Sequence, residues 1–303
     1  VKTFHVEGIQ YELCERIGGG GFAGVYRARP VGELFRRDVC IKRLGPALPR
    51  ESAATLLEEA RLLSSVRHAN VVSLLGFGLE ADGAPFLVLE LVEGVDLKRL
   101  GLRLRGPDGR PALLPAPVSV HVACALLRAL SAVQRRVPGL VHRDVTPHNV
   151  LVSSEGEVKL ADFGIALARG GGYVSSPAAV VGKPGYMAPE QIAGGPIDPR
   201  ADLFAVGVVL YELLCGLRPW APLRGAYEMH AVVREPPVAL EERRAGLDRA
   251  LTAAVHRLLA RAPADRFVDA EDALRAVAPF GAGELGSLRL ATYSRAVVAA
   301  TLA

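Results

Sequence analysis

The hydrophobic pattern of this chain changes period once, and that switch limits the folds open to it. Residues 9 to 44 are short β-prone runs broken by glycines, as in Tyr11 to Ile17 and Asp38 to Leu44, and read as an antiparallel sheet. One helix is expected next: Ser52 suits the N-cap of a segment ending near Arg67, in which Leu56, Ala60 and Leu63 fall at helical spacing. Val71 to Leu75 and Phe86 to Leu91 then read as strands around an Ala-Asp-Gly turn. From Val118 the period becomes helical, over Val118 to Val137, Ala201 to Leu214, Leu247 to Ala260 and Ala270 to Ala278. The expectation is an α+β chain, a small antiparallel sheet lobe with one key helix followed by a larger, mainly helical lobe. Gly101 to Pro117, rich in Gly, Pro and Arg, reads as a surface loop between them, and residues 281 to 303 as a tail or linker.

Composition removes several classes of function. Half of the 303 residues are hydrophobic and 22% are charged, enough apolar material for one large domain or two lobes and too much for disorder. Thirty-six Lys and Arg against 32 Asp and Glu leave a net charge of +4, too weak a bias to argue for nucleic acid or a membrane surface. The Arg-rich stretch Arg99 to Arg110 reads as a solvated loop. Cys14, Cys40, Cys124 and Cys215 form no CxxC pair, so neither a disulfide framework nor a zinc site is suggested and a reducing cytoplasm fits. The most apolar stretch, Leu203 to Leu217, contains Glu212 and is too short to span a bilayer, and the first 25 residues lack a signal-peptide core. The chain begins at Val1 instead of methionine, which leaves room for flanks about which these absences say nothing.

Chemistry begins at Ile17-Gly18-Gly19-Gly20-Gly21-Phe22-Ala23-Gly24-Val25, between two strand patterns, where glycines let backbone amides approach a phosphate. Alone, such a run is more often just a hairpin turn. In Val39-Cys40-Ile41-Lys42 the period of two puts Cys40 and Lys42 on one face. Glu59 lies on the apolar stripe of the following helix, three residues after Leu56 and four before Leu63. Burying an unpaired charge costs several kcal/mol, so Glu59 needs a partner, and Lys42 on the adjoining sheet is the candidate. Later, Val141-His142-Arg143-Asp144-Val145-Thr146-Pro147-His148-Asn149 leads into the strand Val150 to Val152, a Ser-Ser-Glu-Gly turn, Val158 to Ala161, and Asp162-Phe163-Gly164. A hairpin brings Asn149 and Asp162 side by side, an amide oxygen and a carboxylate suited to Mg²⁺ carrying phosphates, with Asp144 just beyond. Each of these taken singly is also a common turn residue.

The ordered set of glycine loop, strand lysine, helix glutamate, His-Arg-Asp with Asn149 five residues after Asp144, Asp-Phe-Gly and Met187-Ala188-Pro189-Glu190 resembles the protein kinases over roughly residues 9 to 280. The wording Gly185-Tyr186-Met187-Ala188-Pro189-Glu190-Gln191 is similar to that of the eukaryotic-like Ser/Thr kinases of bacteria. The resemblance implies a bilobal protein-kinase fold, with lobes of about 9 to 92 and 93 to 280. It also implies ATP with Mg²⁺ or Mn²⁺ as cofactors, and phosphoryl transfer to Ser/Thr hydroxyls of protein substrates, possible autophosphorylation included. It leaves the oligomeric state open. By position, it implies that Ile17, Gly18, Gly19, Gly20, Gly21 and Val25 cover the phosphates, that Lys42 contacts the α and β phosphates, and that Glu59 holds that lysine. Asp144 is the implied catalytic base, and Asn149 and Asp162 the implied metal ligands. Val25, Cys40 and Leu151 would sandwich adenine, Leu89 would be the gatekeeper before the hinge Glu90 to Val92, and Asp96 is a candidate for the ribose. Glu190 with Arg266 and Asp202 under the catalytic loop are implied structural roles, and Leu63, Leu74, His142 and Phe163 an apolar stack.

Three positions depart from the family's pattern. Ala23 replaces the third loop glycine and is small enough for a close backbone approach. Cys40 replaces alanine over adenine and reads as a buried, inert thiol or, if accessible, a covalent handle. Thr146 stands where lysine is usual two residues after the catalytic Asp, while Gly182-Lys183 stands where a Gly-Thr pair is usual, so lysine and threonine have traded places. Only Lys2, Lys42, Lys98, Lys159 and Lys183 are lysine among 36 basic residues, and a compact ammonium suits a phosphate contact. The expectation is that Lys183 reaches toward Asp144 and the γ-phosphate while Thr146 supplies the hydroxyl. An inert scaffold with a kinase fold is the alternative, and its best support is Thr146. Arg143 could dock a segment phosphorylated at Ser175, Ser176 or Tyr173, and His148 gives no sign of a preference for basic substrates.

Overall fold

The computed structural model describes residues 2–19, 23–32, 37–44, 50–103, 113–163 and 183–302. They divide into two compact units, residues 1–92 and 93–303.

The first unit is a six-stranded antiparallel sheet of β1 (Thr3–Val6), β2 (Ile9–Gly19), β3 (Ala23–Pro30), β4 (Val39–Leu44), β5 (Leu74–Leu79) and β6 (Pro85–Glu90), in the order β1-β2-β3-β4-β6-β5, with helix α1 (Arg50–Ser65). Its core is Phe4, Val6, Tyr11, Ala28, Val39, Ile41, Phe86 and Val88. Strand β1 extends the sheet beyond the expected start at residue 9: Phe4 and Val6 turn inward while Thr3 and His5 stay exposed, and Phe4 meets Phe86 edge-on at 4.7 Å. Lys2 and Arg43 converge on Glu80, which joins that edge to β4 and β5. Two boundaries move from the sequence reading. Ser52 lies inside α1, which starts at Arg50. Val71 and Val72 plug the core from a loop held by the Val71 N–H to His68 carbonyl bond, and regular pairing begins only at Leu74.

The second unit begins with β7 (Gly94–Asp96) and α2 (Leu97–Arg103), followed by α3 (Ala116–Arg136), β8 (Val150–Ser153) and β9 (Val158–Leu160). The three strands form a small sheet in the order β7-β8-β9. Then come α4 (Pro189–Ala193), α5 (Arg200–Cys215), α6 (Gly225–Arg234), α7 (Leu240–Arg243), α8 (Arg249–Leu258), α9 (Ala270–Val277) and α10 (Glu284–Leu302). Pro117 opens α3, where a missing N–H leaves no bond unmade. Among the described residues α3 is the one helix long and apolar enough to cross a membrane, which the sequence reading did not single out, and 72% of its most apolar window is buried inside the unit. Helix α5 is apolar on nearly every side, and a Cβ at its Gly207 would come 2.8 Å from Leu258, so α5 and α8 pack closely. The side chains of Asp248 and Asp269 cap α8 and α9 by accepting main-chain N–H bonds. Residues 281–303 hold α10, packed on the second unit through Leu290, Ala291, Ser294 and Val297.

Candidate functional site

In the first unit the site residues share one sheet face, since cross-strand partners in an antiparallel ladder point the same way. Val25 on β3 and Leu87 on β6 flank Lys42, and Leu89 lies opposite Cys40. Lys42 is 7% exposed and Glu59, reached from α1, only 1%. The Lys42 ammonium donates to Glu59 Oε1 at 2.8 Å and to Oε2 at 2.6 Å. The pair compensates two charges that would each be costly to bury alone. Burial pushes the Cys40 thiol up to about 12, so it is protonated at neutral pH. Ile17, half exposed, precedes Gly18 and Gly19 in β2. Gly19 has φ +109°, and a Cβ there would come 2.2 Å from the Ala23 carbonyl oxygen, so only glycine fits. Gly20 and Gly21 lie outside the described residues. Glu90 is doubly tied to Ser73: its carboxylate accepts the Ser73 N–H at 2.8 Å, and its own N–H donates to the Ser73 carbonyl at 3.0 Å. Val92, half-buried, ends the unit.

In the second unit the segment 141–149 is held from below by α5. Asp202, 1% exposed, accepts the main-chain N–H groups of His142 at 2.7 Å and Arg143 at 2.9 Å. Burial pushes its carboxyl up to about 7 against the pull of those two bonds and of the Arg143 charge. The His142 ring accepts the Asp144 N–H at 3.3 Å, stands 3.3 Å from the Ala161 carbonyl oxygen, and packs edge-on against Phe163 at 4.5 Å. Arg143 takes φ +67°, a left-handed turn that lets two consecutive amides face one carboxylate.

Asn149 Nδ2 donates to the Asp144 carbonyl at 2.9 Å and to Asp144 Oδ2 at 2.7 Å. Its amide protons are thus committed to Asp144, leaving its oxygen as an acceptor or ligand. The Ala161 N–H donates to the Asn149 carbonyl at 2.9 Å, and this bond closes the β8–β9 ribbon and brings Asp162 level with Asn149. Asp162 is exposed, at φ +63°. The Asp144 carboxyl is pushed up first by burial and also by the charge of Asp162, while Lys183 and Asn149 pull it down. Lys183 Nζ donates to Thr146 Oγ1 at 3.2 Å and lies 3.6 Å from Asp144 Oδ2. Asp144 Oδ1 is buried and accepts no hydrogen bond from the described residues. Two neighbouring carboxylates and an amide oxygen are hard donors with excess negative charge, which fits a divalent cation.

Other positions have different surroundings. Leu151, half-buried on β8, lies across from Asp96 on β7. The Asp96 carboxylate accepts the Arg99 N–H at 2.9 Å and so caps the start of α2. Glu190 grips Arg266 through two bonds of 2.6 and 2.7 Å, and Arg266 also donates to the carbonyls of Arg200, Ala260 and Arg261. Sequence reasoning missed the support under Lys183. Gly185, at φ +93°, presses on the Arg218–Glu228 pair, where a Cβ would come 2.7 Å from Arg218 Nε, and the Tyr186 hydroxyl donates to Glu212. Glu228 sits in an ordinary amphipathic helix, so no local pattern marked it. Ser175, Ser176, Tyr173 and Gly182 lie outside the described residues.

A family model described as protein kinase domain matches residues 11–276. The DNA damage-responsive serine/threonine-protein kinase RqkA of Deinococcus radiodurans is 37% identical over 229 residues, covering 75% of this chain and 33% of the relative. Serine/threonine-protein kinase PknB of Mycobacterium tuberculosis is 34% identical over 273 residues, covering 87% of this chain and 41% of the relative. Serine/threonine-protein kinase PksC of Streptomyces coelicolor is 36% identical over 289 residues, 91% of this chain and 50% of the relative. The chain thus spans between a third and half of the length of these relatives. The crystal structure of the Mycobacterium tuberculosis PknI kinase domain superposes with a TM-score of 0.67 at 28% identity, covering 92% of this chain and 98% of that one.

Proposed function

Because the chain belongs to the protein kinase family, as a catalytic domain of the bacterial Ser/Thr type, we propose that it transfers the γ-phosphoryl group of Mg-ATP to Ser or Thr hydroxyls of proteins. The family implies ATP and a divalent cation, and Mg²⁺ is our choice of cation. The observation that carries the reading is Asp144: one carboxylate oxygen is held by Asn149 and Lys183, and the other is buried with no donor among the described residues. Such an oxygen can orient an incoming hydroxyl and take its proton, which is most of what phosphoryl transfer asks of a base. We assign Asn149 and Asp162 to the cation, which neutralises phosphate charge when bound. Lys42, restrained by Glu59, is assigned to the α and β phosphates, and Ile17 to Gly21 with Val25 to their cover. Val25, Cys40, Leu89 and Leu151 are assigned to adenine, and Glu90 to Val92 to the hinge. Asp96 is assigned to the ribose, a role it would combine with capping α2. Lys183 supplies the cation beside Asp144, and Thr146 the hydroxyl that steadies it. The catalytic domain is taken to run over about residues 9 to 280. Nothing in the structure or the relatives favours the inert-scaffold alternative.

The test is transfer of labelled γ-phosphate from Mg-ATP to a generic protein substrate and to the chain itself, comparing the parent with Asp144→Asn. Label in the parent that is lost in Asp144→Asn is the expected result. No transfer by a parent that still binds Mg-ATP would overturn the reading.

A further inference from the structure

Helix α10 meets the back of the ribbon that carries both proposed metal ligands. Its inner side, Gly286, Leu290, Ala291, Ser294 and Val297, is buried, with Ser294 at 0% exposure. Ser294 Oγ donates to the Val152 carbonyl of β8 at 3.1 Å, a buried bond reaching three residues beyond Asn149. At the ribbon's turn, Gly156 has φ +83°, and a Cβ there would come 1.9 Å from the Ser287 carbonyl oxygen and 3.0 Å from the Ala291 nitrogen. The turn therefore docks on the α10 backbone, and only glycine permits it. Ser287 Oγ also donates to the Glu155 carbonyl at 3.4 Å. At its other side, α10 starts against α3, where a Cβ at Gly286 would come 2.8 Å from His121.

We propose that α10 is a positioning element for the metal-ligand pair: by clamping the β8–β9 turn and the Val152 carbonyl onto the helical body, it holds Asn149 and Asp162 at one spacing. The inference rests on the kinase reading for the meaning of that pair. The physical reason is that the β8–β9 ribbon is widened only by the three residues of β7, and so short a sheet draws its stability from packing against a helix. Ligands held by a loose support bind metal less well, and losing such support costs about tenfold or more.

The test uses the full chain with Gly156→Asn, because asparagine tolerates the left-handed backbone while its Cβ still meets α10. Ser294→Ala is a second, milder variant that removes the buried bond and keeps the packing. Two quantities are read: amide exchange over residues 149–161 and 284–302, and the affinity for Mn²⁺ together with a non-hydrolysable ATP analogue. The expected result is faster exchange in both segments with α5 still protected, and Mn²⁺ affinity weakened on the order of tenfold in Gly156→Asn and less in Ser294→Ala. Faster exchange in α10 with 149–161 and Mn²⁺ affinity both within about twofold of the parent, on the same scale, would overturn the proposal. If Gly156→Asn does not fold, Ser294→Ala decides alone. Failure of the kinase reading is separately visible as a parent that binds the nucleotide analogue and transfers no phosphate.

Discussion

Replacing Lys183 with alanine removes the ammonium 3.6 Å from Asp144 Oδ2 and its bond to Thr146. At that separation, Coulomb's law gives about 1 kcal/mol in water and about 5 kcal/mol at an effective dielectric of about 20. The Lys183 side chain is 42% exposed, so the value belongs in the lower half of that range, roughly 2 kcal/mol. If the same charge faces the transferring phosphoryl group, its loss slows kcat by about 30-fold. The KM for ATP should change little, because the proposed phosphate lysine, Lys42, is untouched. Stability at neutral pH should fall by about 1 to 3 kcal/mol, because the buried Asp144 carboxylate loses its neighbouring cation and keeps the Asn149 bond. The assay is steady-state transfer of labelled phosphate at saturating Mg-ATP, with a urea melt on the same preparations. The exchanged double variant Thr146→Lys with Lys183→Thr should recover part of what either single change loses, because it returns one cation and one hydroxyl to the site. A Lys183→Ala protein with kcat within twofold of the parent would refute the assignment, as would a loss confined to KM.

Three further outcomes follow from burial. Glu59→Gln breaks the buried Lys42–Glu59 pair from one side and should cost about 3 to 5 kcal/mol in a urea melt, whereas replacing both residues with apolar ones should cost less. Iodoacetamide at neutral pH should label the exposed Cys14 and leave the buried Cys40, Cys124 and Cys215 intact by mass spectrometry of the folded protein, and labelling of Cys40 would contradict its burial. Asp202 titrates near 7 when folded against 3.8 as its reference, so between those values the folded chain holds a proton that the unfolded chain has lost. Its contribution to stability is therefore full below pH 4 and lost as pH rises through about 7. Asp202→Asn should flatten that part of the stability profile while costing about 1 to 3 kcal/mol, because an amide accepts only one of the two N–H bonds from His142 and Arg143.

Much of this architecture was legible in one dimension, because its signals are local. The period of two across Val39 to Lys42 and the helical spacing of Leu56, Glu59 and Leu63 are sufficient to put a charge on each of two apolar surfaces, and two such charges must meet. The hairpin between Asn149 and Asp162 is likewise dictated by strand, turn and strand within a dozen residues. The trade of Lys183 and Thr146 is visible only against the residue pattern of the kinase family, since no period or spacing marks it. Tertiary packing decided the rest. Thr3 to Val6 is too short to announce a strand until Phe4 finds Phe86. Asp202 is one polar residue in an apolar helix until two distant amides turn toward it. Gly185 and Glu228 are unremarkable apart and locked together in space. Residues 281 to 303 read as a tail, because nothing in their own sequence says that Ser294 will bond Val152 or that Gly156 will admit their backbone. A helix encodes its own period, but the surface that receives it lies more than a hundred residues away, and only the folded chain brings the two together.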